Sequence, residues 1–375
     1  MTLLRKTIVV VGSVAFLACS GASIEPSTDS EDTAVSPVDE DSDGVEAGLD
    51  CDDLDPEKGA REFDEDCDGT LTVEDCDDGN ADWNEEDSDA DGQSTCGGDC
   101  DDADPGTVSG ADYCGWVMAV AGEEHSCGLT RRGEAVCWGG SAFGQQEAPS
   151  ATFAAISSGR NHVCGLEMDG TLQCWGGNEA GQTDPPAGQF QQISMGRDFG
   201  CGVSESGEVS CWGDNRYGQL EFPPMVATAV EAGGDHACLL MESGEASCWG
   251  FDVVGQTEAQ AGPFVRLTAG SDHTCGLSEA GGVTCWGWNE FGQSSAPNES
   301  FVEIAAGGHH TCGVLQSGVL QCWGSDEYGE SDGPDESFET LGLGEEHSCG
   351  VTLDGRMICW GKAETGQTTP PVGLP

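Results

Sequence analysis

Residues Gly270–Gln293 read GSDHTCGLSEAGGVTCWGWNEFGQ, and this phrase recurs seven times in the 375-residue chain at a spacing of 37 residues that never slips. Self-similarity at a fixed period in this range marks a repeat architecture, each repeat being one supersecondary unit. Its fixed points are a Gly (Gly122 through Gly344), a first cysteine, a Gly six residues later, and a second cysteine followed by Trp. Aligned on the first cysteine, the units span 116–152, 153–189, 190–226, 227–263, 264–300, 301–337 and 338–374. Each opens on an aromatic (Trp116, Phe153, Phe190, Phe264, Phe301, Phe338) except the fourth, which opens on Ala227. A short alternating stretch follows, as in Phe301-Val302-Glu303-Ile304-Ala305-Ala306, and alternation bounded by Gly reads as a strand. His310-Thr311-Cys312-Gly313-Val314 reads as a second strand and Leu320-Gln321-Cys322-Trp323 as a third.

The turn chemistry fixes the cysteine geometry. A three-residue hairpin loop ends in a residue of positive φ, where Gly is least costly. In the first unit that loop is Arg131-Arg132-Gly133, so Thr130 faces Glu134 and, three pairs back, Cys127 faces Cys137. Pair types alternate along an antiparallel ladder, which makes this a non-hydrogen-bonded pair, where side chains approach most closely. The spacing predicts seven cross-strand disulfides: Cys127–Cys137, Cys164–Cys174, Cys201–Cys211, Cys238–Cys248, Cys275–Cys285, Cys312–Cys322 and Cys349–Cys359. Zinc would need tetrahedral ligand sets, which isolated cysteine pairs do not supply. Trp follows the second cysteine in every unit and reads as core. A histidine stands two residues before the first cysteine in six units, with Phe199 in the seventh. Six imidazoles in register read as a structural signature, expected to bond to backbone, rather than as catalysts.

Charge sets the compartment and the partners. The net charge is −57, with 34 acids against two bases in residues 20–115 and 35 against eight in 116–375. Such a field repels phosphate backbones and anionic lipid surfaces, which argues against nucleic-acid binding and direct membrane binding. Divalent cations are what it invites. Arg5 and Lys6 precede an apolar run, Thr7 to Ala18, too short to span a bilayer and flanked like an export signal. With fourteen cysteines in the repeats and six in the acidic region, Cys19 is left over. The segment Phe16-Leu17-Ala18-Cys19 resembles a bacterial lipoprotein signal, which implies a lipidated Cys19 at the mature N-terminus and an oxidising location in the cell envelope, the outer membrane or cell surface rather than the inner membrane.

After a tether (20–38), a looser repeat occupies residues 39–115. It contains Asp39-x-Asp41-x-Asp43-Gly with Asp50, Asp64-x-Asp66-x-Asp68-Gly with Asp75, and Asp87-x-Asp89-x-Asp91-Gly with Asp99. Oxygen ligands at positions 1, 3 and 5, a Gly at 6 and a carboxylate at 12 describe a calcium loop; the third copy runs one residue long. No amphipathic helix flanks these loops. The run resembles thrombospondin type 3 repeats and the acidic, Cys-containing repeats of bacterial surface proteins, which implies structural Ca2+ as the cofactor. Cations and disulfides would replace a hydrophobic core here. The six cysteines Cys51, Cys67, Cys76, Cys96, Cys100 and Cys114 allow fifteen connectivities.

The motif Gly-x-x-His-x-Cys-Gly-Leu, then Cys-Trp-Gly-x-Asn-x-x-Gly-Gln, resembles the regulator of chromosome condensation repeat across residues 116–375. His273-Thr274-Cys275-Gly276-Leu277 and Cys285-Trp286-Gly287-Trp288-Asn289-Glu290-Phe291-Gly292-Gln293 carry it. The resemblance implies an all-β, seven-bladed β-propeller, preceded here by the disulfide- and calcium-stabilised acidic segment. Propellers present loops on two faces. The expected role is a lipid-anchored, monomeric binding module for a protein or other surface macromolecule. Variable positions lie between Trp-Gly and Gly-Gln, where Arg216, Phe251 and Trp288 are residue types that anchor interfaces. Phe251 and Trp288 could equally fill packing gaps specific to their own blades. A passive adhesive protein is the alternative. A hydrolase or lyase would need a titratable constellation that breaks the repeat, and His309 is the only histidine out of register.

Overall fold

In a computed structural model describing residues 115–222 and 224–371, every 37-residue unit folds into one three-stranded antiparallel sheet, and the seven sheets are the blades of a seven-bladed β-propeller. The acidic segment's aspartates and cysteines, and Cys19, lie outside the described residues. The inner strands are Trp116–Ala121, Phe153–Ser158, Gln192–Met195, Ala229–Ala232, Arg266–Ala269, Phe301–Ala306 and Phe338–Leu343. Middle strands start at the in-register histidines or Phe199 (His125–Thr130 in blade 1), and outer strands end on Trp-Gly (Ala135–Gly139 in blade 1). In blades 3 to 5 the inner strand begins two residues after the opening position. Even there Gln191, Thr228 and Val265 still donate to Val203, Leu240 and Leu277 at 2.8 Å, so only its first pairing is lost.

Each hairpin closes as its spacing dictates. Gly133 has φ 76° and its N–H donates to the Thr130 carbonyl, while Thr130 N–H donates to Glu134. Cys127 is then opposite Cys137, and all seven pairs are disulfide-bonded with Cα atoms 4.0 Å apart.

The core is built from a ring pair repeated in every blade. The opening aromatic packs on the tryptophan of its own unit, centroids 5.6–6.1 Å apart in six blades. Its ring lies on the Gly after the first cysteine: a Cβ on Gly276 would come within 2.5 Å of Phe264. Blade 4 resolves its own exception. With Ala227 in place of the aromatic, the middle strand can carry Leu239, wholly buried, where the others have Gly, and Phe222 takes up the packing on Trp249 at 6.2 Å. Six of the seven tryptophans are buried, and Trp360 is half-buried.

Blades are joined by bonds that the repeat makes periodic. Each indole N–H donates to the main-chain carbonyl of the Gln or Glu that follows the loop glycine of the preceding unit, at 2.7–3.0 Å, as Trp286 does to Gln256. Trp138 to Gln367 closes the circle at 2.8 Å. Trp116 N–H to Gly355 and Glu345 N–H to Gly122 close it at two further levels.

The histidines bond differently from expectation. For five of the six the partner is a hydroxyl of the next blade: His236 to Thr274, His273 to Thr311, His310 to Ser348 and His347 to Ser126, all at 2.8 Å, and His125 to Ser158 at 2.9 Å; His162 meets Gly200 at that register and finds no hydroxyl. Ser348 passes its own proton to the Glu330 carbonyl, so the imidazole Nε2 is the donor. Where the next blade has Ala237 instead of a hydroxyl, Phe199 stands in place of the histidine.

Burial pushes these imidazoles down, to about 4 for His125, His236 and His310 and about 3 for His162, His273 and His347. They stay neutral in the fold while the unfolded chain takes up protons near 6.5. Their contribution is therefore present above pH 6.5 and lost as pH falls toward 4. Replacing His310 with Phe and Ser348 with Ala copies the Phe199–Ala237 junction. The double variant should remove one proton from unfolding, flattening the acid-side dependence by about 1.4 kcal/mol per pH unit. Urea midpoints between pH 7 and 5 measure this; an unchanged slope would show that His310 titrates normally.

Candidate protein-binding face

Strand direction puts two sets of loops on one side of the disc. The turns between inner and middle strands (Gly122–Glu124 and its equivalents) lie beside the loops that follow the outer strands. They are tied together in every unit: Gly140 to Glu124, Gly177 to Asn161, Asp214 to Asp198, Phe251 to Asp235, Trp288 to Asp272, Ser325 to His309 and Lys362 to Glu346, each an N–H to a carbonyl. Hairpin loops such as Arg131–Gly133 occupy the opposite face.

The loops after the outer strands are held by their own side chains. The Gln of Gly-Gln turns its Oε1 back to the N–H two residues before it, as Gln219 does for Tyr217 at 2.8 Å and Gln293 for Phe291 at 3.0 Å. Glu330 makes the same bond, accepting from Tyr328 at 2.7 Å, and its second oxygen accepts from Ser325 at 2.6 Å where Gln145, Gln219 and Gln256 instead donate to Asn161, Asp235 and Asp272. Asn215, Asp252, Asn289 and Asp326 each accept an N–H five residues on. With the backbone fixed at both points, the side chain before Gly-Gln faces solvent.

That register position reads Phe143, Ala180, Tyr217, Val254, Phe291, Tyr328 and Thr365 around the ring. The five large side chains are between 40% and 51% exposed, more than a packed core would allow. Arg216, Phe251 and Trp288 lie on the same face. Phe251 packs on Tyr217 of the preceding blade, centroids 4.7 Å apart. Trp288 stands edge-on to Phe291 at 5.3 Å and to His309 at 4.8 Å. Both Phe251 and Trp288 are half-buried, each packing against neighbouring rings while leaving part of its surface open. The sequence reading passed over Tyr217, Phe291 and Tyr328 and the neighbours of His309. Tabulating the residue before Gly-Gln at the 37-residue period would have found the first three.

Charge on this face is arranged around the rings. Arg160 pairs with Glu123 at 2.8 Å, Arg197 with Asp235 at 3.2 Å, and Arg216 with Asp214 at 2.8 Å and Asp198 at 3.9 Å. Lys362 pairs with Glu346 and Glu364, and its ammonium sits over the Tyr328 ring, 5.0 Å from the centroid. A second ionic group is internal. Arg266 bonds Glu303 between the inner strands of blades 5 and 6, and buried Glu231 of blade 4 lies within its electrostatic reach. Desolvation raises the Glu231 carboxyl to about 8.

The central channel is lined by the inner-strand ends, from Ala121 and Gly122 round to Leu343 and Gly344, and encloses about 90 Å³. Ligand pockets run to about 300 Å³ and more, so the channel is too narrow for one. The in-register histidines are wholly buried, and five are engaged with hydroxyls, which leaves them no role as bases toward solvent. Among the described residues no group of three or more His, Cys, Asp or Glu is placed to hold a metal. This face of the disc therefore offers a broad surface for contact rather than a cavity for chemistry.

The family model described as "Regulator of chromosome condensation (RCC1) repeat" matches residues 119–145, 153–182, 190–219, 227–256, 264–293, 301–330 and 340–367. No curated protein matches the sequence. Among solved structures, the ectodomain of the Physcomitrella patens receptor kinase CR4 is similar at 26% identity and TM-score 0.58, over 65% of this chain and 72% of that one. The ectodomain of the Arabidopsis thaliana receptor kinase ACR4 shares 24% identity at TM-score 0.55, over 65% and 95%. Prp20p from Saccharomyces cerevisiae, whose structure is described with its binding to Gsp1p and histones, shares 18% at TM-score 0.54, over 64% and 84%. The latter two likenesses concern the fold alone.

Proposed function

The chain belongs to the regulator of chromosome condensation (RCC1) repeat family, and on that basis we propose that it is an exported, lipid-anchored protein whose propeller binds another protein through the face carrying Tyr217, Phe251, Trp288 and Phe291. The observation that carries this reading is the concentration of large exposed rings on one side, where a passive disc needs only polar loops. Prp20p is described with protein partners, which accords with a protein-binding propeller. An enzymatic role finds no support in the six in-register histidines, which are wholly buried. The test exploits the repeat. Tyr217→Ala with Phe291→Ala introduces the residue that blade 2 already has at that register, Ala180, and so preserves the fold. Envelope proteins captured on immobilised full-length chain should be lost with this double variant and retained with Met168→Ser on the opposite face. Equal capture by both would refute the assignment.

The same proposal places a lipid on Cys19 and calcium in the aspartate loops of residues 39–105, stiffening the stalk between membrane and propeller. Cys19→Ser should move the chain from the membrane to the soluble fraction. Chelation should open residues 39–105, and not 116–371, to proteolysis. A soluble wild-type chain, or cleavage indifferent to chelator, would remove these parts of the reading.

A further inference from the structure

We propose that the occupant of this face is a basic protein segment, one Lys or Arg of which seats on Phe291 as Lys362 seats on Tyr328. The inference rests on the protein-binding reading and specifies its partner. The repeat supplies an internal template. In two units the side chain before Gly-Gln packs against the first loop residue of the next blade, 34 residues on: Tyr217 by Phe251, Tyr328 by Lys362. At the second of these pairs an ammonium rests on an aromatic face and bonds Glu346 and Glu364. An aromatic quadrupole and carboxylates acting together on one cation explain that placement.

One blade earlier the same geometry recurs without its cation. Phe291 takes the place of Tyr328 and is more exposed, at 51% against 40%. Ser325, too short to cover the ring, takes the place of Lys362, and Glu327 takes that of Glu364. His309 stands where Glu346 does, packed 5.7 Å from Phe291.

The surrounding charge agrees. The two bases flanking the arc, Arg216 and Lys362, are each neutralised by two carboxylates of this chain. Between them, over blades 4 to 6, Asp252, Asp272, Glu290, Asp326 and Glu327 have no Lys or Arg within ion-pair distance among the described residues. Aromatic rings amid uncompensated carboxylates select a segment that brings both apolar contact and positive charge.

The test is selection of phage-displayed random short peptides on the immobilised, oxidised full chain. Enriched peptides should carry Lys or Arg beside apolar residues and should dissociate as salt rises. Their affinity should fall about tenfold or more with Phe291→Ala, and several-fold with Glu327→Gln, while Met168→Ser leaves it unchanged. Peptides that lack bases yet still depend on Phe291 would overturn the basic partner and leave the protein-binding face standing. No enrichment, peptides indifferent to Phe291→Ala, or a polysaccharide probe (soluble peptidoglycan strands) binding through Phe291 instead would overturn both.

Discussion

A chain whose propeller disulfides are reduced and capped is expected not to recover its fold. Each bond closes a loop between cysteines ten residues apart, worth about 2.5–3 kcal/mol in restricted unfolded-state freedom. Seven together amount to something on the order of 20 kcal/mol, against a net stability of about 5–15 kcal/mol for a typical domain. The inner strands are too short to compensate, at four residues in three blades. Far-ultraviolet circular dichroism and tryptophan fluorescence after reduction, alkylation and return to native buffer measure this directly. Removal of one pair, Cys275→Ala with Cys285→Ala, should cost only its own 2–3 kcal/mol or so, since the remaining blades keep their staples. A reduced, capped chain that still melts cooperatively at the native temperature would show that packing alone holds the ring.

The second large effect separates two tryptophans two residues apart. Trp286 is buried, packs on Phe264 at 5.9 Å and donates to the Gln256 carbonyl at 3.0 Å. Trp286→Ala should cost about 3–5 kcal/mol through the cavity it leaves, aggravated by a buried carbonyl that loses a donor. Trp288 is half-buried on the loop surface, and blade 6 has Ser325 at its register. Trp288→Ser should therefore cost only about 1 kcal/mol, the scale of its ring contacts with Phe291 and His309. Partner binding should respond in the opposite order, Trp288→Ser weakening it strongly in a protein that remains folded. Urea denaturation and peptide binding on the two variants give both readings, and equal destabilisation would place Trp288 in the core.

The pattern of gains and losses between sequence and structure follows the distance over which each interaction acts. Hairpin register is a ten-residue matter. Once Gly133 takes positive φ, the ladder from Thr130 back to Cys127 has one alignment, and the cysteines meet. The tryptophans could be placed in the core for a similar reason, since each sits in a strand beside an unvarying Gly. The histidine partners escaped because they lie in the next blade, 38 residues away for His236 and Thr274 and 33 for His125 and Ser158, and no local rule brings the two together. The substitution of Phe222 for the missing aromatic of blade 4 escaped likewise, being a repair made by a neighbouring loop.

By itself, then, the sequence determined the seven-unit period, the three strands of each unit, the cysteine pairing and the family resemblance, all of which are set by backbone geometry repeated within a few residues. Only the tertiary structure decided that Arg216, Phe251 and Trp288 share one face with Tyr217, Phe291 and Tyr328, that Lys362 rests on Tyr328, and that Glu231 lies buried near Arg266, which itself bonds Glu303. Closing the ring sets residues of successive units side by side, so a surface and a charge pattern arise that no single unit contains.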